Sequence, residues 1–354
     1  MEQSQLTQEA ITLLKELISI PSFSREEEGT ALALEAWFTA HDIPFERENN
    51  NVYAKNKYWD PAKPTLLLNS HHDTVKPNSA YTKDPFQPHI EEGKLYGLGS
   101  NDAGGALVSL MAAFAYFYPT EELSHNLLMV ASAEEENAGE NSLRGLLPHL
   151  PKIDVAIVGE PTLMDLAVAE KGLVVFDASV QGTPSHAAHP NENNSIYNTI
   201  PVLEWFKNYR FKKVSHMLGE TKMTVTQISA GNQHNVVPGH VDLVVDVRVN
   251  DAYSNKEIAD ILAKEAPCEL NPRSLRLNSS AIDGNHPLVQ SGLALGRKTY
   301  GSPTLSDQAA LSCQSMKLGP GDSTRSHSAD EFIYVREIEE GIDLYIKILT
   351  GFLQ

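Results

Sequence analysis

The sequence predicts a two-domain α/β protein, a mostly parallel sheet with helices, interrupted by an inserted ferredoxin-like α+β unit. Three observations predict it. With 354 residues the chain is longer than one typical domain. Its first half alternates apolar strand-like runs with helical patterns, as a parallel sheet requires. From about Gly172 the order becomes β-α-β-β-α-β, and beyond Pro287 helices and strands of the first kind return. The expected division is residues 1–171 with 282–354 as one domain and residues 172–281 as the other.

Taken in order, Leu6 to Ile18 has helical spacing and stops before Pro21. Ser24 followed by Arg25-Glu26-Glu27-Glu28 is a capping signature for a second helix to about His41. Residues 43–56 give two short strands, and Thr65 to His71 is a continuous apolar strand running into His72-Asp73. Residues 84–99 form a loop holding a short strand, Lys94 to Gly97, that leads to Asp102. The apolar stretch from about Ala106 to Tyr118 is a core helix, which puts Asp102 at a strand-to-helix junction. Asn126 to Ala133 is a strand, Asn141 to Leu150 a helix, and Asp154 to Gly159 a strand ending at Glu160. In the insert, strands are expected at 173–180, 223–230, 241–249 and 269–277, with helices at 195–209 and 254–266. Ser254 and Glu257 form a capping box for the second of those helices. Met316 to Gly319 is a last strand before His327, and Val335 to Leu353 a closing helix.

Composition narrows the function. Against 28 Lys+Arg stand 46 Asp+Glu, a net charge of -18 that repels a phosphate backbone or an anionic membrane, so no nucleic acid and no membrane partner is expected. Only Cys268 and Cys313 are present, too few for a disulfide framework or a thiolate zinc site. The first residues lack the basic and apolar regions of a secretory signal, and no apolar run is long enough to span a bilayer. A soluble cytoplasmic protein is the expectation.

The acidic triplet Glu134-Glu135-Glu136 closes the apolar run Leu127 to Ala131, at the strand end where a parallel sheet opens its crevice. Alone it reads as a solvated acidic turn, the usual fate of a short charge run. However, Asp102, Glu160 and His327 also follow apolar strands, and His71 and Asp73 end another. His71 then suits a metal ligand with Asp73 as its orienting carboxylate, or else a polar strand terminus. Converging imidazoles and carboxylates without cysteine point to a metal site, and this donor set suits zinc.

Ser70-His71-His72-Asp73-Thr74-Val75, Gly97-Leu98-Gly99-Ser100-Asn101-Asp102, the acidic triplet, Val158-Gly159-Glu160-Pro161-Thr162, Gly319-Pro320-Gly321 and Ser326-His327-Ser328-Ala329-Asp330-Glu331 together resemble, in order, the signature of the M20 metallopeptidase family. The resemblance covers essentially the whole chain. It implies a metal-dependent hydrolase with two Zn2+, for which Co2+ or Mn2+ can substitute. His71, Asp102 and Glu160 would hold one ion; Asp102, Glu136 and His327 the other, with Asp102 bridging. Asp73 would orient His71 and Glu135 would be the general base; a shift by one residue would make Glu134 the base and Glu135 the ligand. Three carboxylates against two divalent ions leave one positive charge to stabilise the conjugate base of a water whose pKa falls to about 7.

The inserted unit resembles the family's lid and dimerisation domain, which implies a homodimer. Within it, His186 matches a histidine that stabilises the oxyanion in the partner subunit's site, and Asn235 and Arg248 match positions that hold a substrate carboxylate. Arg325 is a rival for that carboxylate. His72 and His189 are assigned structural roles. Where many members carry a lysine two residues after the bridging aspartate, this chain has Asp102-Ala103-Gly104. The resemblance is nearest to the branch of acetylornithine deacetylases and succinyl-diaminopimelate desuccinylases. It implies removal of an acetyl or succinyl group from the α-nitrogen of an amino acid such as N-acetylornithine or N-acetylcitrulline, in arginine biosynthesis. A dipeptidase or exopeptidase is the alternative within the family, and a metal-binding dimeric scaffold without turnover the alternative outside enzymes.

Overall fold

A computed structural model of the chain describes residues 2–354. The chain divides into two compact units, 1–168 with 281–300 and 306–354, and 169–280 with 301–305. The first opens with α1 (Gln3–Ile18), α2 (Glu28–Ala40), β1 (Glu46–Glu48), β2 (Asn51–Lys55) and β3 (Thr65–His71). A hairpin of β4 (His89–Glu91) and β5 (Lys94–Tyr96) precedes α3 (Gly105–Phe117) and β6 (Asn126–Ser132). Then come α4 (Leu143–Leu146), β7 (Val155–Val158) and β8 (Leu166–Glu170). The second unit holds β9 (Gly172–Gln181), β10 (Ser185–His186), α5 (Ser195–Asn208), β11 (Lys222–Ser229), β12 (Val236–Val237), β13 (His240–Val249), α6 (Asn255–Glu265) and β14 (Glu269–Pro272). From β15 (Ser280–Ala281) the chain continues through α7 (Pro287–Ala294), β16 (Thr299–Ser302), β17 (Gln314–Lys317), β18 (Phe332–Tyr334) and α8 (Val335–Leu353).

The large sheet runs β1-β2-β6-β3-β7-β17-β8-β15, with β16 beside β8. Its centre, β6-β3-β7-β17, is parallel, and β2 and β8 flank it antiparallel. Every residue of β3, β6 and β7 is buried, which is why these strands are continuous apolar runs rather than alternating ones. Helix α3 is buried along nearly its whole length, each large side chain contributing about 1.5–3 kcal/mol. Helix α8 buries Ile338, Ile342, Tyr345 and Leu349 at helical spacing and leaves its other face charged.

Parallel strands in register deliver their C-terminal ends to one edge. His71 ends β3, the acidic triplet follows β6, Glu160 follows β7, and the loop to His327 follows β17. The second unit pairs β11-β13-β9-β14 antiparallel throughout, the strand order of a ferredoxin-like fold. Its core packs Val174, Phe176, Val245 and Val247 against Val202, Phe206, Ile258 and Leu262 of the two helices. The capping box at Ser254 and Glu257 forms as predicted, a device worth about 1 kcal/mol.

Four elements differ from expectation. Ser24 does not cap α2, which begins only at Glu28; its hydroxyl donates to Asp73 Oδ2 at 2.7 Å instead. The expected helix over 141–150 shrinks to one turn, because Pro148 forces a 3-10 turn over Leu147–His149. The strand expected to Leu277 ends at Pro272, which has no N–H to offer the ladder. The loop over 84–99 contains a hairpin, since Glu92 and Gly93 adopt the left-handed backbone that joins β4 to β5. Among the described residues no helix is long and apolar enough to cross a membrane.

Candidate metal centre

His71 is 2% exposed and its two ring nitrogens look in opposite directions. Nδ1 lies 3.0 Å from the Asp73 carbonyl and 3.4 Å from its carboxylate. Nε2 lies 3.4 Å from Asp102 Oδ1 and 3.9 Å from Glu160 Oε1. On the other side, His327 Nε2 is 3.6 Å from Asp102 Oδ2 and 3.1 Å from Glu136 Oε2. The two oxygens of Asp102 thus face two different imidazoles, as a bridging carboxylate must. Ligand atoms of His71, Asp102 and Glu136 also lie within 4.8 Å of one another.

The backbone around these side chains is tightly held. Asp73 carboxylate oxygens accept the Ser24 hydroxyl and the N–H groups of Glu135 (3.0 Å) and Glu136 (3.2 Å). Glu331, also buried, accepts the N–H groups of Gly99, Asn101 and Asp102 and so fixes the turn that carries Asp102. Gly99 opens that turn at φ 75, where a Cβ would stand 2.6 Å from Thr74 Cγ2. The Asn101 side chain bonds the carbonyl and N–H of Asp322 and ties the same turn to the segment leading to His327. Asn101 and Glu331 have no assigned role in the sequence, because an acceptor or donor for main-chain groups leaves no spacing pattern, and Ser24 is expected there only as a helix cap.

Within the triplet the three carboxylates part company. Glu134 turns away, accepting from Asn141 Nδ2 at 2.9 Å, while Glu136 meets His327. Burial pushes the Glu135 carboxyl well above the ordinary carboxylate range, and Glu160 and Asp307 add to the effect. Burial and the Asp102 charge raise Glu160 to about 8. Burial opposes a charged His71, yet the Asp102 and Asp73 carboxylates outweigh it and raise its pKa well above 6.5. The Glu136 carboxylate raises His327 to about 9. Both imidazoles and both of these acids thus hold protons more tightly than usual, so the pocket favours positive charge at the point where the two Nε2 atoms face Asp102, Glu136 and Glu160. These donors fit two divalent cations of borderline hardness.

His72 faces the other way. Its ring bonds Thr30 Oγ1 (2.8 Å) and the Asn50 carbonyl (2.9 Å), and burial lowers it to about 4. In the second unit His186 lies on β10, paired with β12, and its Nδ1 accepts the Ala188 N–H, which leaves the proton on an exposed Nε2. His189 lies beside it, its ring tilted by 60° at a centroid distance of 5.7 Å. Asn235 is exposed, its carbonyl accepting the Ala187 N–H; Arg248 bonds Asp246 on its own strand through two nitrogens. Arg325 makes a bidentate pair with Glu337 and lies over the rings of Phe332 and Tyr334.

Two imidazoles, His71 buried and His327 exposed, share one aspartate among carboxylates at the carboxyl edge of a parallel sheet, the arrangement of a metal-dependent hydrolase. The chain belongs to peptidase family M20/M25/M40, whose profile matches residues 67–351. It is 24% identical to a succinyl-diaminopimelate desuccinylase of Rickettsia bellii across 96% of this chain and 95% of that one. Its fold is similar to the M20 metallo-carboxypeptidase of Sulfolobus solfataricus, with TM-score 0.76, 18% identity and coverage of 97% and 99%. A tripeptidase of Staphylococcus aureus is similar with TM-score 0.77, 19% identity and 97% coverage of each chain.

Proposed function

We propose that this hydrolase removes a short acyl group from the α-nitrogen of an amino acid, using two zinc ions. His71, Asp102 and Glu160 would hold one ion and Asp102, Glu136 and His327 the other. The observation that carries this reading is Asp102, with one oxygen toward each imidazole. The ions would polarise the scissile carbonyl and lower the pKa of a water to about 7. Glu135 takes the proton of the attacking water and returns it to the leaving nitrogen. Its burial supports this, since it gives the carboxyl the proton affinity such a shuttle needs. Asp73 holds His71 in the tautomer that leaves Nε2 free for metal.

His186, with its proton on Nε2, is the donor proposed for the developing oxyanion, supplied by a second copy of the chain through the second unit. Tyr197 at 69% exposure and Ile200 at 56% on α5, with Ile228 at 59% on the edge strand β11, supply the apolar surface such a pairing would cover. Arg248 and Asn235 are proposed to grip the substrate carboxylate. Arg325 is the weaker candidate, because it would first have to leave Glu337.

Of the two acyl groups expected, acetyl and succinyl, relatives named succinyl-diaminopimelate desuccinylase favour succinyl, and they lend no support to an arginine-pathway substrate. Zinc-loaded protein should therefore release free amine from N-succinyl-diaminopimelate in preference to N-acetylornithine or N-acetylcitrulline. Release from none of the three would remove the deacylase reading. Turnover confined to di- and tripeptides would replace it with the peptidase one.

A further inference from the structure

Asp307 is a buried carboxylate that neither the ligand set nor the base accounts for. It stands at the start of a short 3-10 turn, Asp307–Ala310, capped by the Ser306 side chain. Its Oδ2 accepts two hydrogen bonds, from Ser132 Oγ at 2.6 Å and from Asn69 Nδ2 at 2.9 Å. Asn69 lies two residues before His71 on the same face of β3. Ser132 is the register partner of His71 on β6 and the last strand residue before the acidic triplet. One oxygen from a distant segment thus ties together the two strand ends that deliver His71 and the turn of Glu134, Glu135 and Glu136. Leu311 and Cys313, on the same segment, pack against the core cluster of Leu67, Leu128 and Val130, which anchors the tie from below.

We propose that Asp307 is a positioning residue of the metal centre: its carboxylate clamps Asn69 and Ser132 and thereby fixes the separation of His71 from Glu136. The proposal rests on the two-metal reading given above. A clamp needs geometry rather than charge, and the structure supplies a way to separate the two. Both arms end on one oxygen, Oδ2, an acceptor that an uncharged amide can supply as well as a carboxylate. In Asp307→Asn the amide oxygen can take the place of Oδ2 and still accept from both Ser132 and Asn69. Asp307→Ala has no such recourse and leaves both groups unpaired.

The test titrates the metal-free full chain with Co2+ and follows its visible absorption, without substrate. Asp307→Ala is expected to bind Co2+ about 10–100-fold more weakly, the scale for loss of a group that orients ligands, and Asp307→Asn to stay within about threefold of the parent. Ser132→Ala, which removes one arm, should fall between them; if Asp307→Ala does not fold, this variant carries the test. Parental affinity in Asp307→Ala, or in Ser132→Ala where that variant must stand in, overturns the proposal. So does equal weakening in Asp307→Asn and Asp307→Ala, which would make charge the operative property. A parent chain that binds no Co2+ removes the metal reading and the clamp together, whereas one that binds Co2+ yet cleaves no acyl amino acid counts against the substrate reading alone.

Discussion

The Asp73 carboxylate accepts the backbone N–H of Glu135 at 3.0 Å. One side chain therefore both faces His71 Nδ1 and fixes the turn that carries Glu135, so the orientation of the proposed ligand and the position of the proposed base are not independent.

Glu135→Gln keeps the shape of the pocket and removes the proton acceptor. The variant should retain both metals by elemental analysis and lose at least ~10²-fold in kcat. Unchanged turnover would assign the base elsewhere.

Ser24→Ala deletes the hydroxyl that donates to Asp73 Oδ2, while Asp73→Ala deletes the hub itself. Asp73→Ala should lose about 10–100-fold in metal affinity or kcat, and Ser24→Ala less, on the order of threefold. Equal losses in the two variants would mean that Ser24, and not Asp73, governs the turn.

The two arginines can be told apart by kinetics. Arg248→Met should raise KM for an acyl amino acid about tenfold or more, as expected when a carboxylate loses its charge-assisted partner. Arg325→Met should leave KM near the parental value and lower stability, because Glu337 is then left half-buried without its bidentate partner. The reverse pattern would transfer the substrate carboxylate to Arg325.

Metal should stabilise the fold as well as serve the reaction, because Asp102, Glu135, Glu136 and Glu160 crowd one pocket. Zinc at about one hundred times its dissociation constant should add about 2.7 kcal/mol to the unfolding free energy. A thermal midpoint indifferent to zinc would contradict a resident metal.

A pH effect is expected away from the pocket, where His125 and His286 flank the Phe352 ring. Burial lowers both pKa values below 6.5, with His286 adding to the effect on His125 while Asp154 opposes it, and Asp283 opposing it for His286. The unfolded chain then binds more protons than the folded one below 6.5, so these groups' contribution is fully present above that value and is lost as pH falls. Denaturant midpoints at about pH 7.5 and about pH 5.5 should differ less in His125→Gln than in the parent. An unaltered difference would exclude His125.

The apolar runs ending at His71, Glu134 and Glu160 made the parallel core and its active edge legible, because strands buried on both faces advertise themselves. The ferredoxin-like unit was legible through its order of elements and the Ser254 cap. What escaped were contacts with no period. Ser24 resembles a helix cap locally, yet its acceptor is a carboxylate 49 residues away. Asp307 belongs to an ordinary loop sequence, Ser306-Asp307, until Asn69 and Ser132 are brought to it. The helix end near Pro148 and the strand end at Pro272 were misjudged for the opposite reason, a strong local breaker given too little weight.

His71 and His72 point to opposite sides of β3, one into the pocket and the other into a niche made by Thr30 and Asn50. The strand is thus a vernier with only one working setting. An insertion or deletion of a single residue between Thr65 and His71 would turn the wrong imidazole toward the pocket and at the same time break the register of this buried strand with β6 and β7, whereas the same length change in the exposed loop before Thr65 would leave that register alone.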